Sequence, residues 1–315
     1  MVQGWKDFTE KIMELSGKWT AFTALGSFLL YALGYLTLRF HLTALGVGTD
    51  LTVLDERYLF AGANFLIYFV SAVPIVLLLL IVPAALGFLP YRLLPLRIRS
   101  KIQIAGSSFW QWITSPGTGR VVFTLAGIVF SVIVIQFFMR QCFLFSNLLL
   151  CDGLPDPAWL RTLLLDDKDG LRSLYFAGLL AASAVPLGIS LILGKKEQPA
   201  GFSQFLQALL GLLTAIQFLM LPVNYGILIM DRVMPRVESM GEQKLSQGQT
   251  AWLVWEGKEG MTYLLRTIAD NGEQKALVTL PRKDVKETRI IAYDPILRTL
   301  FAHQVKQKES TGRTE

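Results

Sequence analysis

Charge is what this sequence has least of. Only 17% of its 315 residues are Asp, Glu, Lys or Arg, against about 25% in a soluble domain. The deficit lies before Pro222; the charge content after it is ordinary. Cysteine is limited to Cys142 and Cys151, too few for a disulfide-dense scaffold. Histidine is limited to His41 and His303. One sits at the edge of an apolar run and the other in the tail, so they do not make a bis-histidine haem site. No His/Cys/Glu cluster has zinc-ligand spacing. The apolar runs hold no acids or lysines, the groups that proton pumps and ion-coupled carriers place at membrane depth. No catalytic constellation is present, so neither an enzyme nor a cofactor is expected.

Long apolar runs are abundant. Crossing a bilayer takes about 20 apolar residues, and several segments are that long. The expected fold class is a mainly α membrane protein, with about five transmembrane helices followed by a small C-terminal antiparallel β domain. The spans read as 19–38, 58–82, 121–139, 173–193 and 202–222, within a membrane domain of 19–230. Residues 1–18 place Trp5, Phe8, Ile12 and Leu15 at helical spacing, as an interfacial amphipathic helix would. Pro74, Pro83 and Pro90 punctuate the second run, so its span is ended near Val82. Pro222 and Gly226 read as a hinge that ends the fifth span. Residues 231–249 read as a linker, 250–303 as the β domain and 304–315 as a disordered tail.

The tail changes period from helical to alternating. "TAWLVWEGKEGMTYLLRT" predicts a hairpin turning at 257–260, and Asn271-Gly272 predicts a second. "ETRIIAYDP" adds a strand, and "ILRTLFAHQV" a short helix. Lys283, Lys286 and Arg289 are expected to be exposed basic positions on this domain.

The net charge is +6. Beside apolar spans it reads as topology rather than as nucleic-acid binding. Arg92, Arg97, Arg99 and Lys101 follow the second span, and Lys195 and Lys196 lie between the fourth and fifth. The positive-inside rule makes both loops cytoplasmic. An inner-membrane protein of bacterial type is expected, with its amino terminus inside and the β domain outside. The expected partners are the lipid bilayer and either another membrane protein or further copies of the chain; nucleic acid is not among them.

"TALGVGTD", residues 43–50, raises the question of a filter or a phosphate loop. A potassium filter needs a threonine-led run behind a pore helix, and too few residues separate it from the first span. A phosphate loop needs a third glycine or a Gly-Lys-Ser/Thr. The stretch reads instead as a turn before a helix whose start carries Thr52 and Asp55 at capping-box spacing. Asp50, Asp55 and Glu56 then form a candidate anionic outer patch.

The remaining candidates are polar or small. Gln136, Gln217 and Asn224 are intramembrane polar positions; they read as helix glue, or as a pore lining if the chain assembles into a channel. Cys142 and Cys151 are a candidate disulfide in an oxidising compartment. Gly178-xxx-Ala182, Ala184-xxx-Gly188 and Gly211-xxx-Ala215 are candidate helix-packing faces. The leading expectation is an accessory or scaffold subunit whose β domain binds a partner. A homo-oligomeric channel is the alternative, and a lipid-acting enzyme ranks last.

Overall fold

The computed structural model describes residues 2–47, 56–115, 117–151, 153, 158–165, 169–194, 201–228, 230, 233–258, 260–269, 272–285 and 287–301. Five helices are long and apolar enough to cross a membrane: Trp19–Leu45, Arg57–Leu93, Thr118–Leu144, Gly170–Leu193 and Phe202–Leu228. They lie in helices α1 (Val2–Leu45), α2 (Arg57–Leu93), α4 (Thr118–Leu144), α6 (Asp169–Gly194) and α7 (Phe202–Leu228). Between them are α3 (Leu96–Thr114) and α5 (Ala158–Leu165).

Two helices run further than their sequences suggest. No break separates residues 2–18 from the first span, because "ELSGKWTAF" carries no proline and its single glycine is tolerated within a helix. Helix α2 passes through Pro74, Pro83 and Pro90 and ends only at Leu93. Its 37 residues extend about 55 Å at 1.5 Å per residue, beyond the roughly 30 Å hydrocarbon core.

Glycine carries the close helix crossings. A Cβ on Gly34 would lie 1.7 Å from the Tyr58 carbonyl oxygen, and one on Gly62 would lie 2.0 Å from that of Leu30. The backbones of α1 and α2 therefore touch, and Tyr31 and Tyr35 pack edge-on against Tyr58 beside the crossing. Gly226 brings α7 comparably close to α1: a Cβ there would lie 2.1 Å from the Thr37 carbonyl oxygen. This use explains why α7 continues through Pro222 to Leu228 instead of hinging there. His41 Nδ1 lies 2.9 Å from the Gly226 carbonyl oxygen and ties the same two helices.

The chain then forms β1 (Val233–Val237), β2 (Ser239–Met240), β3 (Gln243–Lys244), β4 (Gln249–Glu256), β5 (Gly260–Ala269), β6 (Gly272–Pro281), β7 (Ile290–Pro295) and α8 (Ile296–Leu300). The main sheet has the order β6-β5-β4-β1-β7, with antiparallel pairing throughout. Strand β1 is a correction to the expected linker 231–249. Pro235 argues against a strand in sequence, yet β1 lies between β4 and β7, with Pro235 opposite Tyr293.

Alternation divides the sheet into two faces. Met234, Trp252 and Leu264 face the helices and join a buried cluster with Leu38, Leu42, Leu148 and Leu228. Val237, Ala251 and Tyr263 face away and are covered by Met240 and Leu245 of the β2–β3 hairpin region. The domain thus sits on the end of the bundle where α1, α4 and α7 finish and α2 begins.

Candidate partner-docking site

The turn that follows the first span is built as a helix stop. Val47 N–H donates to the Leu42 carbonyl at 3.0 Å and Gly46 N–H to the Thr43 carbonyl at 3.1 Å. That pair of bonds is the Schellman arrangement. Gly46 has φ +79, a conformation glycine adopts without steric cost. A Cβ there would also lie 3.1 Å from Asn147 Oδ1 and 3.4 Å from Leu277 of β6. The turn therefore serves as part of the seat for the β domain. Asp50, Thr52 and Asp55 lie outside the described residues. Glu56 is exposed, and it caps α2 without a side-chain hydrogen bond.

Two cations fasten the domain to the bundle. Arg57 donates to the Glu256 carbonyl, and its guanidinium lies 4.9 Å from the Trp255 ring centre. Lys275 of β6 donates to the Cys151 carbonyl at 2.8 Å and lies 4.8 Å from the Phe301 ring centre. On the same sheet face, Trp252 Nε1 donates to Asp294 at 2.9 Å, and Arg236 reaches that carboxylate at 3.7 Å. These contacts are short and largely satisfied, so this face is committed to the seam.

Among the described residues, the β7 border of the sheet is open. Strand β7 is a sheet edge, and Ile290, Ile291 and Tyr293 on it are 43%, 54% and 66% exposed. Natural sheets usually guard an edge with charge, proline or cover; here apolar side chains occupy it. A cleft of about 560 Å³ adjoins the start of β7, lined by Glu238, Ser239, Glu242, Lys244, Glu287 and Arg289 among others. Gly241, at φ +59, shapes its hairpin wall and packs against the Asp284 carbonyl. Arg289 pairs with Glu238 at 3.2 Å, while Lys283 is exposed and Lys286 lies outside the described residues. Edge and cleft together offer backbone groups, apolar contacts and charges of both signs.

The intramembrane candidates do not converge. Gln217 is fully buried and donates from Nε2 to the Ser131 carbonyl at 3.3 Å, whereas Gln136 is exposed on the outside of α4. Asn224 donates back to Met220 on its own helix at 2.9 Å. Cys142 and Cys151 are free thiols, Cys142 packed against the cluster under the β domain. The candidate packing faces suit packing within the chain or between copies, and among the described residues of the chain their glycines are not used. Gly178, Gly188 and Gly211 have no atom within 4 Å of a Cβ position, and Ala215 is exposed; Ala182 packs against the aromatic cluster of Phe65, Phe176 and Tyr225. Those glycines face outward because α6 and α7 present other sides to the bundle.

Sequence reasoning missed the edge strand's exposure and Arg120. Arg120 is 1% exposed and donates to the Leu193 carbonyl at 2.6 Å. It stands in the first turn of α4 and reads as an ordinary flanking cation, yet it serves the last turn of α6, where a helix favours positive charge. The chain matches no family model, and comparison with curated proteins and with solved structures finds no similar chain.

Proposed function

We propose that this chain is a non-enzymatic, multi-pass membrane subunit whose β domain receives a strand from a membrane-protein partner. The observation that carries the reading is the β7 edge, with Ile291 and Tyr293 exposed beside a strand border that no described strand pairs. Strand addition draws affinity from main-chain hydrogen bonds and specificity from alternate side chains. The cleft at the start of β7 gives such a strand a polar anchor. The bundle, through Arg57, Lys275 and the buried cluster, holds the edge at a set height above the membrane.

The distribution of Lys and Arg supports a cytoplasmic amino terminus and an external β domain. Arg92, Arg97, Arg99 and Lys101 lie at and beyond the end of α2 that is away from the domain, and Lys195 and Lys196 fall between the fourth and fifth spans in sequence. A bacterial inner membrane with an oxidising outer side fits this orientation.

The test is gentle detergent extraction from native membranes, followed by mass measurement of the intact complex. A different membrane protein at fixed stoichiometry is expected, and an Ile291→Glu/Tyr293→Glu variant is expected to lose it while keeping the mass and melting behaviour of the chain alone. A wild-type chain that runs free, or a variant that keeps its partner, ends this reading. A closed oligomer of this chain alone that passes ions in vesicles favours the channel instead.

A further inference from the structure

Helix α3 differs from every other long helix of the chain. Ile98, Ile102, Ala105, Phe109 and Trp112 recur at alternating spacings of four and three, so they form one stripe. Lys101 and Arg97 border the stripe on one side and Arg99 on the other, while Ser100, Gln103, Ser107 and Gln111 take the far face, which Leu96 shares and Ile104 and Trp110 flank. The stripe is not a packing surface within the chain: Ile98 is 45%, Ile102 46%, Phe109 59% and Trp112 46% exposed. Only the last turn is seated. Ile113 and Thr114 are buried, and Gly119 lies so close that a Cβ there would be 2.3 Å from the Trp112 carbonyl oxygen.

Covalent geometry sets the depth of this helix. It begins just after α2, across Leu94 and Pro95, and ends just before α4 begins at Thr118. Both neighbours are apolar enough to cross a membrane. The last turn of α3 packs on the start of α4 and so lies at the boundary where that span leaves the lipid. An amphipathic helix there rests its apolar stripe among the acyl chains and its cations at headgroup level.

Among the described residues, no acid pairs with these cations. No Asp or Glu occurs between Arg57 and Cys151. Arg99 instead donates to the Arg92 carbonyl and lies 5.5 Å from the Tyr91 ring centre, and Arg92 lies 5.3 Å from that of Phe88. Arg97 and Lys101 form no ion pair with any described residue. Rings thus hold two of the guanidiniums beside the end of α2 without neutralising them. Clustered juxtamembrane cations of this kind recruit anionic lipid.

We propose that α3 is an in-plane helix that binds anionic phospholipid headgroups through Arg92, Arg97, Arg99 and Lys101. Its Ile98–Ile102–Phe109–Trp112 stripe is buried in the acyl layer of the same leaflet. The inference rests on the membrane location of the chain and is independent of the partner proposed for the β domain.

The full chain in nanodiscs of phosphatidylcholine mixed with phosphatidylglycerol tests it in two ways. Spin labels are placed by Ile102→Cys or Ser107→Cys in a Cys142→Ala/Cys151→Ser background. Position 102 is expected to be open to oxygen and shielded from a water-soluble nickel relaxant, with the reverse at 107. Lipid co-purifying with the wild-type chain is expected to be enriched in phosphatidylglycerol. Each cation removed by Arg97→Gln, Arg99→Gln or Lys101→Gln should lower that enrichment roughly fivefold. Should those variants misfold, the wild-type chain alone serves: enrichment should fall as salt shortens the Debye length to about 3 Å. Equal nickel access at 102 and 107 overturns the proposal. So do cross-links between copies at 102, or enrichment indifferent to both cations and salt.

Discussion

Replacing Gly34 by alanine tests the crossing that organises the bundle. The new Cβ would lie 1.7 Å from the Tyr58 carbonyl oxygen, 2.6 Å from its carbon and 2.7 Å from the Gly62 nitrogen. All three are backbone atoms, so no rotamer change relieves the overlap. Bringing the closest pair to an ordinary contact above about 3 Å means parting α1 and α2 by more than about 1 Å. A gap of 0.5–1 Å already forfeits roughly a quarter to a half of each pair's dispersion energy, and the Tyr31–Tyr58 and Tyr35–Tyr58 contacts are the first affected. Overpacking of this kind costs about 1–3 kcal/mol. At roughly 2–4 °C per kcal/mol, the apparent melting temperature should fall by several degrees. Size-exclusion chromatography of heated, detergent-extracted protein measures it. Gly178→Ala and Gly211→Ala, where a Cβ meets nothing within 4 Å, are the controls and should leave melting unchanged. If Gly34→Ala melts with the controls, the α1–α2 backbone contact is wrong, and so is the argument built on it.

Three further outcomes follow from the same contacts. Arg120→Gln should destabilise the chain by about 1–3 kcal/mol in the same melting assay, because the last turn of α6 loses a charged donor to the Leu193 carbonyl. A double-mutant cycle on Arg57→Ala and Trp255→Leu should return a coupling of about 0.5–1 kcal/mol, read from the rate at which protease releases the β domain. A coupling of zero would mean that the ring contact does not fasten the domain. Denatured, unreduced chain should take up maleimide at both Cys142 and Cys151; a mass without either label would reveal a bridge.

Much of the architecture was legible without coordinates. The five spans announce themselves by length and hydropathy, and the β4–β5 hairpin by alternation interrupted at 257–260. Boundaries were less legible. Proline inside α2 suggests an end at Val82, but the helix continues through Pro83 and Pro90 to Leu93. Strand β1 was hidden by Pro235, whose missing donor is tolerated where the sheet places it opposite Tyr293. The exposed edge was only half visible: "ETRIIAYDP" reads as a strand, but whether a strand is central or marginal depends on which strands arrive beside it.

Composition by itself determined that this chain has five helices long and apolar enough to cross a membrane and carries a small sheet after the last of them, because apolar length and alternating polarity are local properties. Tertiary structure decided which faces meet. An apolar span is hydrophobic all round, so nothing in its periodicity marks the side that packs. Gly34, Gly62 and Gly226 became contacts, while Gly178 and Gly211 did not, because a glycine's use is set by the backbone opposite it. Gln217 turned inward and Gln136 outward for the same reason: the rotation of each helix is fixed by its neighbours.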